Sequence, residues 1–273
     1  MSFDAAWLDL REPADHAARD PRLLAMARAH LGAGLAVDLG CGTGSTLRAF
    51  RGAGPAEQAP TGSGSAAGDA GRWRLVDRDA ALLRLATARA PGVETVAADL
   101  TDLGNLPLGG ARLVTASALV DLASRAWIEA LADRLAAEGV GLYAALTYDG
   151  AMDWDPPLAR DGAVRAAFNA DQRRDKGFGP ALGPAAGPAL AEALARRGFT
   201  VTTAPSPWRL GPTDAALQAA LTDGIAAAAA APDWGQARSA ASGVSRCSVG
   251  HCDMLAIPGA PSAQSKITSR SRP

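Results

Sequence analysis

The chain is poor in cysteine: 273 residues contain three, Cys41, Cys247 and Cys252, with no C-x-x-C pair. An odd and sparse set excludes a disulfide framework and suits reduced thiols in a cytoplasmic protein. Long apolar runs are missing too. A bilayer span needs about 18 residues, and the alanine run at 226–231 is far too short and too weakly hydrophobic. Asp4, Asp9 and Glu12 stand where a secretory leader would carry basic residues ahead of an apolar core, so no such leader is expected. Excess positive charge is absent as well. The formal net charge is −1, and the only basic cluster is RRDK at 173–176, which argues against the broad basic surface of a nucleic-acid-binding protein. With membrane and nucleic acid set aside, the expected partner is a small molecule.

What is present is enough apolar material, 48% of the residues, for one large α/β domain with an ample core. Two segments cannot contribute to that core. Residues 52–71 (GAGPAEQAPTGSGSAAGDAG) carry no large apolar side chain and read as a flexible surface insertion. Residues 259–273, small and polar with Lys266, Arg270 and Arg272, read as a disordered tail.

The most informative run is LAVDLGCGTGS at 35–45. A short apolar strand holds Asp38, glycines follow at 40, 42 and 44, and STLRAF at 45–50 reads as the start of a helix. A buried parallel strand entering a glycine-rich turn and a helix N-terminus is the ligand-binding corner of a doubly wound sheet. A dinucleotide fingerprint would be G-x-G-x-x-G, but here Ser45 stands where its third glycine belongs. Asp38 would also repel a diphosphate, and it suits a ligand that carries its own cation. Both points disfavour a nicotinamide-linked oxidoreductase.

The run resembles motif I of the class I S-adenosylmethionine-dependent methyltransferases, D-x-G-x-G-x-G, with every position filled. The resemblance implies that Asp38 lies near the methionine ammonium of the cofactor and that Gly40, Cys41, Gly42 and Gly44 pack against it. It also implies an acid at the end of the next strand to accept the ribose hydroxyls, about 20 residues on. Asp77, closing WRLVD at 73–77, lies 37 residues beyond Gly40, and removing 52–71 restores the spacing. Asp79 instead opens a helix and suits capping. VETVAAD at 93–99 ends in Asp99, which by resemblance takes the adenine amine while Leu100 packs on the ring. RLVTAS at 112–117 is a fourth strand whose Ser117 borders the cofactor, and VGLYAAL at 140–146 is a fifth.

Five strands alternating with helical patterns indicate a parallel sheet. Beyond them come helices at 190–197 and 215–231 and strands at 199–204 and 246–257. The resemblance implies a Rossmann-like, doubly wound α/β fold of seven strands in the order 3-2-1-4-5-7-6, with strand 7 antiparallel. The expected division is a helical cap over 1–30 and a methyltransferase domain over 31–258.

A long segment, 148–188, follows the fifth strand where a bare connection needs a dozen residues. It is expected to wall the acceptor site, with Tyr148, Asn169, Gln172 and Arg173 touching substrate. Tyr148, Asp149, Asp121 and His251 are candidate bases, none favoured by spacing, so the catalytic group stays open. No metal is expected: on a strand Cys247 and His251 share a face while Cys252 points away. The N/D-P-P-Y motif of nucleic-acid amino-methylases is absent after strand four, where the chain reads SALV at 117–120. The expected activity is methyl transfer to a small molecule. A non-catalytic binding module on the cofactor fold, or a methyltransferase acting on a macromolecule, are the alternatives. Which acceptor atom is methylated and how many subunits assemble stay open.

Overall fold

The computed structural model describes residues 4–52 and 71–259. Two helices come first. In α1 (Ala5–Ala18) the Asp4 carboxylate accepts from the Ala6 N–H, and in α2 (Pro21–Leu31) the Asp20 carboxylate accepts from Leu23, with Pro21 in the first turn. Both ends are satisfied as helix N-termini require. The sheet then alternates with helices: β1 (Leu35–Leu39), α3 (Ser45–Arg51), β2 (Arg72–Asp77), α4 (Ala80–Arg89), β3 (Glu94–Ala97), β4 (Ala111–Ser117) and α5 (Arg125–Glu138). Next come β5 (Gly141–Asp155), α6 (Asp161–Asp171), α7 (Ala186–Arg196), β6 (Phe199–Pro205), β7 (Trp208–Leu210), α8 (Ala215–Ala228), α9 (Pro232–Ala241) and β8 (Arg246–Pro258).

The sheet order is β3-β2-β1-β4-β5-β8-β6. β1 to β5 are parallel, and β8 runs antiparallel between β5 and β6. This is the expected order once the last long strand is counted seventh. All five residues of β1 are buried, because helices cover both faces of a central parallel strand. One face packs Val37, Leu39 and Val114 against Leu131 and Leu135 of α5 and Leu190 of α7. The other packs Leu75 and Tyr143 against Leu23 of α2 and Leu47 and Phe50 of α3.

Two strand expectations are corrected. The sheet has eight strands, because β7 adds three residues along the upper half of β8, pairing Trp208 with Val249. A three-residue strand behind Pro207 is too short to show a period. The fifth strand does not stop at Leu146 but continues to Asp155, so Tyr148 to Asp155 is ladder and not loop. Bulges between Ala144 and Thr147 and between Tyr148 and Met152 interrupt its pairing with β8. They also break the two-residue alternation that marks a strand in sequence. On this extension Tyr148, Met152, Trp154, Trp208, Trp234 and Val249 form a third core, beyond the parallel sheet.

The 1–30 stretch divides: α2 lies in the core of the sheet, whereas α1 reaches over its C-terminal edge. The proposed insertion at 52–71, apart from Gly52 and Gly71, and the tail beyond Gly259 lie outside the described residues. Among the described residues no helix is long and apolar enough to cross a membrane.

Candidate active site

The corner is built by backbone. Gly40 and Gly42 adopt φ of +66° and +53°, which residues with a Cβ rarely adopt. The N–H groups of Gly40 and Cys41 both donate to the Val76 carbonyl, at 2.9 and 3.1 Å, tying the turn to the end of β2. Asp77 completes it: Oδ2 accepts from the Gly42 N–H at 3.0 Å and Oδ1 from the Asp79 N–H at 2.9 Å. Asp79 in turn caps α4 through the N–H groups of Ala81 and Leu82. Asp77 thus closes its strand and Asp79 serves the helix, which is the division of labour their positions suggest.

Above this turn opens a cleft with a cavity volume of about 140 Å³, open to solvent on one side. Of the residues expected to hold a cofactor, Gly40, Cys41, Gly42, Asp77, Asp99, Leu100 and Ser117 line it. Asp38 and Gly44 do not. Gly44 is the N-cap of α3 in left-handed conformation, and its N–H donates to the Cys41 carbonyl at 2.8 Å. Asp38 lies beneath the floor at 1% exposure, with Oδ1 accepting from the Thr115 hydroxyl at 2.6 Å and Oδ2 buried without a partner. Burial pushes its carboxyl up to about 7, against the opposing pull of Thr115 and Arg19. Cys41 is buried, its thiol is pushed far up, and it acts as a small packing residue, not a nucleophile.

Sequence reasoning missed Arg19, the residue after α1. It is 4% exposed, yet only Nη2 is bonded, donating to the Thr46 hydroxyl at 3.3 Å and the Ser117 hydroxyl at 3.0 Å. Its Nε and Nη1 are buried without partners. No local pattern marks it, since a basic residue near a helix C-terminus ordinarily serves the helix dipole. The reason it is buried comes from β8: Asp253 accepts from the N–H groups of Asp20 and Leu146 and from the Tyr143 hydroxyl. That anchors the start of α2 on the sheet and carries Arg19 inward, over the Tyr143 ring.

The expected acceptor residues lie elsewhere. Tyr148 donates from its hydroxyl to Asn169 Oδ1 at 2.8 Å, and Asn169 Nδ2 donates to the Gly150 carbonyl at 3.0 Å. Together they fasten α6 to β5. Gln172 caps the C-terminus of α6 and packs on Gly183, and Arg173 is exposed. None of the four lines the cleft, which corrects their expected placement. The cause is the length of β5: the chain leaves the sheet edge later than its sequence suggests. What reaches the cleft is the far end of the same segment, Lys176, Gly177 and Phe178. There Asp175 accepts from the Gly177 and Gly179 N–H groups, Lys176 pairs with Asp171 at 2.7 Å, and Phe178 packs edge-on against Trp127. Leu8, Arg11 and Asp15 of α1 form the roof. A Cβ on Gly42 would come within 3.0 Å of Leu8 Cδ1, closer than an ordinary contact. Among the described residues no group of three or more His, Cys, Asp and Glu is placed to hold a metal ion.

No protein-family model matches the sequence, and no curated protein matches it. Solved structures do. A candidate methyltransferase of Bacillus halodurans C-125 shares 14% identity over 88% of this chain and 99% of that one, with a TM-score of 0.50. The YcgJ protein of Bacillus subtilis shares 11% identity over 88% and 100%, at 0.49. The geranyl diphosphate C-methyltransferase of Streptomyces coelicolor A3(2), solved with Mg2+, geranyl diphosphate and S-adenosyl-L-homocysteine, shares 15% over 88% and 80%, at 0.47. The likeness to the first, together with the strand order, defines the architecture: the chain has the class I methyltransferase fold, with an eighth strand added beside β8.

Proposed function

We propose that the protein is an S-adenosylmethionine-dependent methyltransferase acting on a small-molecule acceptor. The observation that carries this reading is the glycine turn with Asp77 and Asp99 lining one cleft, behind which Asp38 and Arg19 are buried with atoms still lacking hydrogen-bond partners, Asp38 Oδ2 and the Arg19 Nε and Nη1. An orphaned buried charged group is costly. Two of opposite sign beside a glycine cradle fit the α-ammonium and α-carboxylate of a bound amino acid moiety. A nicotinamide dinucleotide has neither group.

The remaining residues fit the rest of the cofactor. Asp77 presents a carboxylate that suits a ribose diol, and Asp99 with Leu100 suits the edge and face of an adenine. When bound, S-adenosylmethionine supplies a methyl group made electrophilic by its sulfonium. The chain's own part is to orient: methyl transfer needs in-line approach of the acceptor, and positioning supplies much of the acceleration. The roof of α1 and the Phe178 loop flank that approach. A small-molecule acceptor is supported by the concave, mixed apolar and polar lining and by the net charge of −1.

Calorimetric titration with S-adenosylmethionine, S-adenosylhomocysteine and NAD tests the cofactor. The first two are expected to bind and NAD is not, and tight NAD binding sinks the reading. Incorporation of labelled methyl into low-molecular-weight metabolite extracts then tests the activity. Cofactor binding with label confined to protein or nucleic acid, or with none transferred, overturns the acceptor class.

A further inference from the structure

The sequence KGFGP at 176–180 sets a single aromatic residue between two glycines. In the structure it forms the tip of a loop with a narrow neck. Asp175 and Pro180 pair across the base, and the chain beyond is fixed where the Leu182 N–H donates to the Ala123 carbonyl at 2.9 Å. The tip, Lys176 to Gly179, presents Phe178 between Gly177 and Gly179, whose φ values are +104° and +79°. Its polar tethers lie within its own segment. Asp175 Oδ1 accepts from the Gly177 and Gly179 N–H groups at 2.7 and 3.1 Å, and Lys176 Nζ pairs with Asp171. Asp175 is exposed, so water competes for these bonds, as it does in the least stable parts of a fold.

Phe178 has open space on both sides. Inward it borders the cleft, as do Asp99, Leu100 and Thr101. Outward it borders a second, shallower groove against α5, with Leu103, Ser124 and Ala130. Thr101, Gly177 and Phe178 line both, so the tip is a thin partition between them. The half-buried Phe178 ring packs edge-on against Trp127, with centroids 5.5 Å apart. The indole of the same Trp127 donates to the Leu100 carbonyl at 2.7 Å. Leu100 and Phe178 therefore share one support. The roof of the cleft is fastened differently. Asp9, Glu12 and Asp15 tie α1 to Arg89 of α4, Arg48 of α3 and Trp208 of β7, three separate elements.

We propose that Phe178 closes the adenine end of the cofactor site, and that the cofactor exchanges when the 176–179 tip swings outward into the groove against α5. This rests on the methyltransferase reading, in which Asp99 and Leu100 take the adenine. A flat base held at Leu100 lies beside the partition that carries Phe178, and contact of a base with an aromatic ring favours the closed tip. The groove gives the ring a place to go. Opening there breaks the tethers of one short loop, whereas lifting α1 breaks bonds to α3, α4 and β7 together.

The test measures release of S-adenosylhomocysteine from the full chain by stopped-flow displacement, and affinity for adenosine by calorimetry. Phe178→Ala is expected to speed release at least about tenfold, the scale of one base–aromatic contact, and to weaken adenosine by a similar factor. Phe178→Tyr restores the ring and should restore both values. Asp175→Ala unties the tip without altering the ring, and should speed release several-fold. Unchanged release in Phe178→Ala overturns the proposal. So does faster release with adenosine affinity unchanged, which would place the ring away from the base. If Phe178→Ala does not fold, Asp175→Ala decides, and release at the wild-type rate overturns the proposal. Wild-type protein that does not bind S-adenosylhomocysteine sinks the cofactor reading and this proposal with it. Wild-type binding with unaltered release in the variants sinks this proposal alone.

Discussion

The two halves of the sheet are built on different principles. In the β1–β4 corner the ligand-facing surface is main chain, held by glycines at fixed spacing and by two N–H groups on one carbonyl. The β5–β8 extension, away from that cleft, is held by side chain against side chain across long separations. Arg238 and Asp161, 77 positions apart, pair beneath Trp154, and Trp208 reaches Asp15 across 193. A backbone site is tolerant of neighbours and demanding of spacing. A side-chain site is the reverse, so one half is free to specialise while the other keeps its geometry.

The sharpest way to break this comparison is to damage the extension and look at the corner. Arg238 is 2% exposed and holds Asp161 and the Pro156 carbonyl. Arg238→Ala leaves Asp161 without its cation and is expected to cost about 3–5 kcal/mol in denaturant unfolding. S-adenosylmethionine affinity of the folded fraction should not change. A parallel loss of affinity would show that the halves are not separable.

Asp38 offers a second test, by pH. Its folded carboxyl titrates near 7, above the 3.8 of an unperturbed one, so the folded state binds the proton more tightly and stability falls as pH rises between those values. Asp121, raised to about 6, acts in the same sense, and His251, lowered to about 4, in the opposite one. Only the difference between wild type and Asp38→Asn isolates the group. The variant should match wild type near pH 4 and be more stable by about 1–4 kcal/mol above pH 7. A pH-independent difference would refute the assignment.

Arg19→Gln and Asp77→Ala should each weaken S-adenosylmethionine binding by about 1.5–3 kcal/mol in calorimetry. Arg19→Lys should recover only part of that, because a point charge does not reproduce a two-nitrogen fork. The smallest effect is expected next door. Asp79→Ala removes a helix cap and should cost about 1 kcal/mol of stability with affinity unchanged. Reversal of the last two results would exchange the roles of Asp77 and Asp79.

The same contrast explains what the sequence reveals. Gly40, Gly42, Asp77 and Asp99 are readable because strand, turn and helix constrain their order, although residues 52–71 lengthen the distance from Gly40 to Asp77. The order of the sheet is readable through resemblance. Tyr148 and Asn169 mislead because polar residues after a strand look like a substrate loop, whereas two bulges hide a strand that continues. Arg19 is silent in sequence because its burial depends on Asp253, more than two hundred residues away, which anchors Asp20 beside it. Residues that act through a partner distant in the chain leave no local trace.

The position of β8 bears on how the protein is made. Translation delivers β1 to β4 and the whole glycine turn early, and those strands can pair as they emerge. β5 and β6 must then wait, each with an open edge, for the strand that lies between them. Only when Asp253 leaves the ribosome can Leu146, Tyr143 and Asp20 find their common acceptor. Pairings of such high sequence separation form slowly, and unpaired edges invite association with other chains. The nascent protein therefore passes through an interval in which its cofactor turn is complete while two strand edges lie bare.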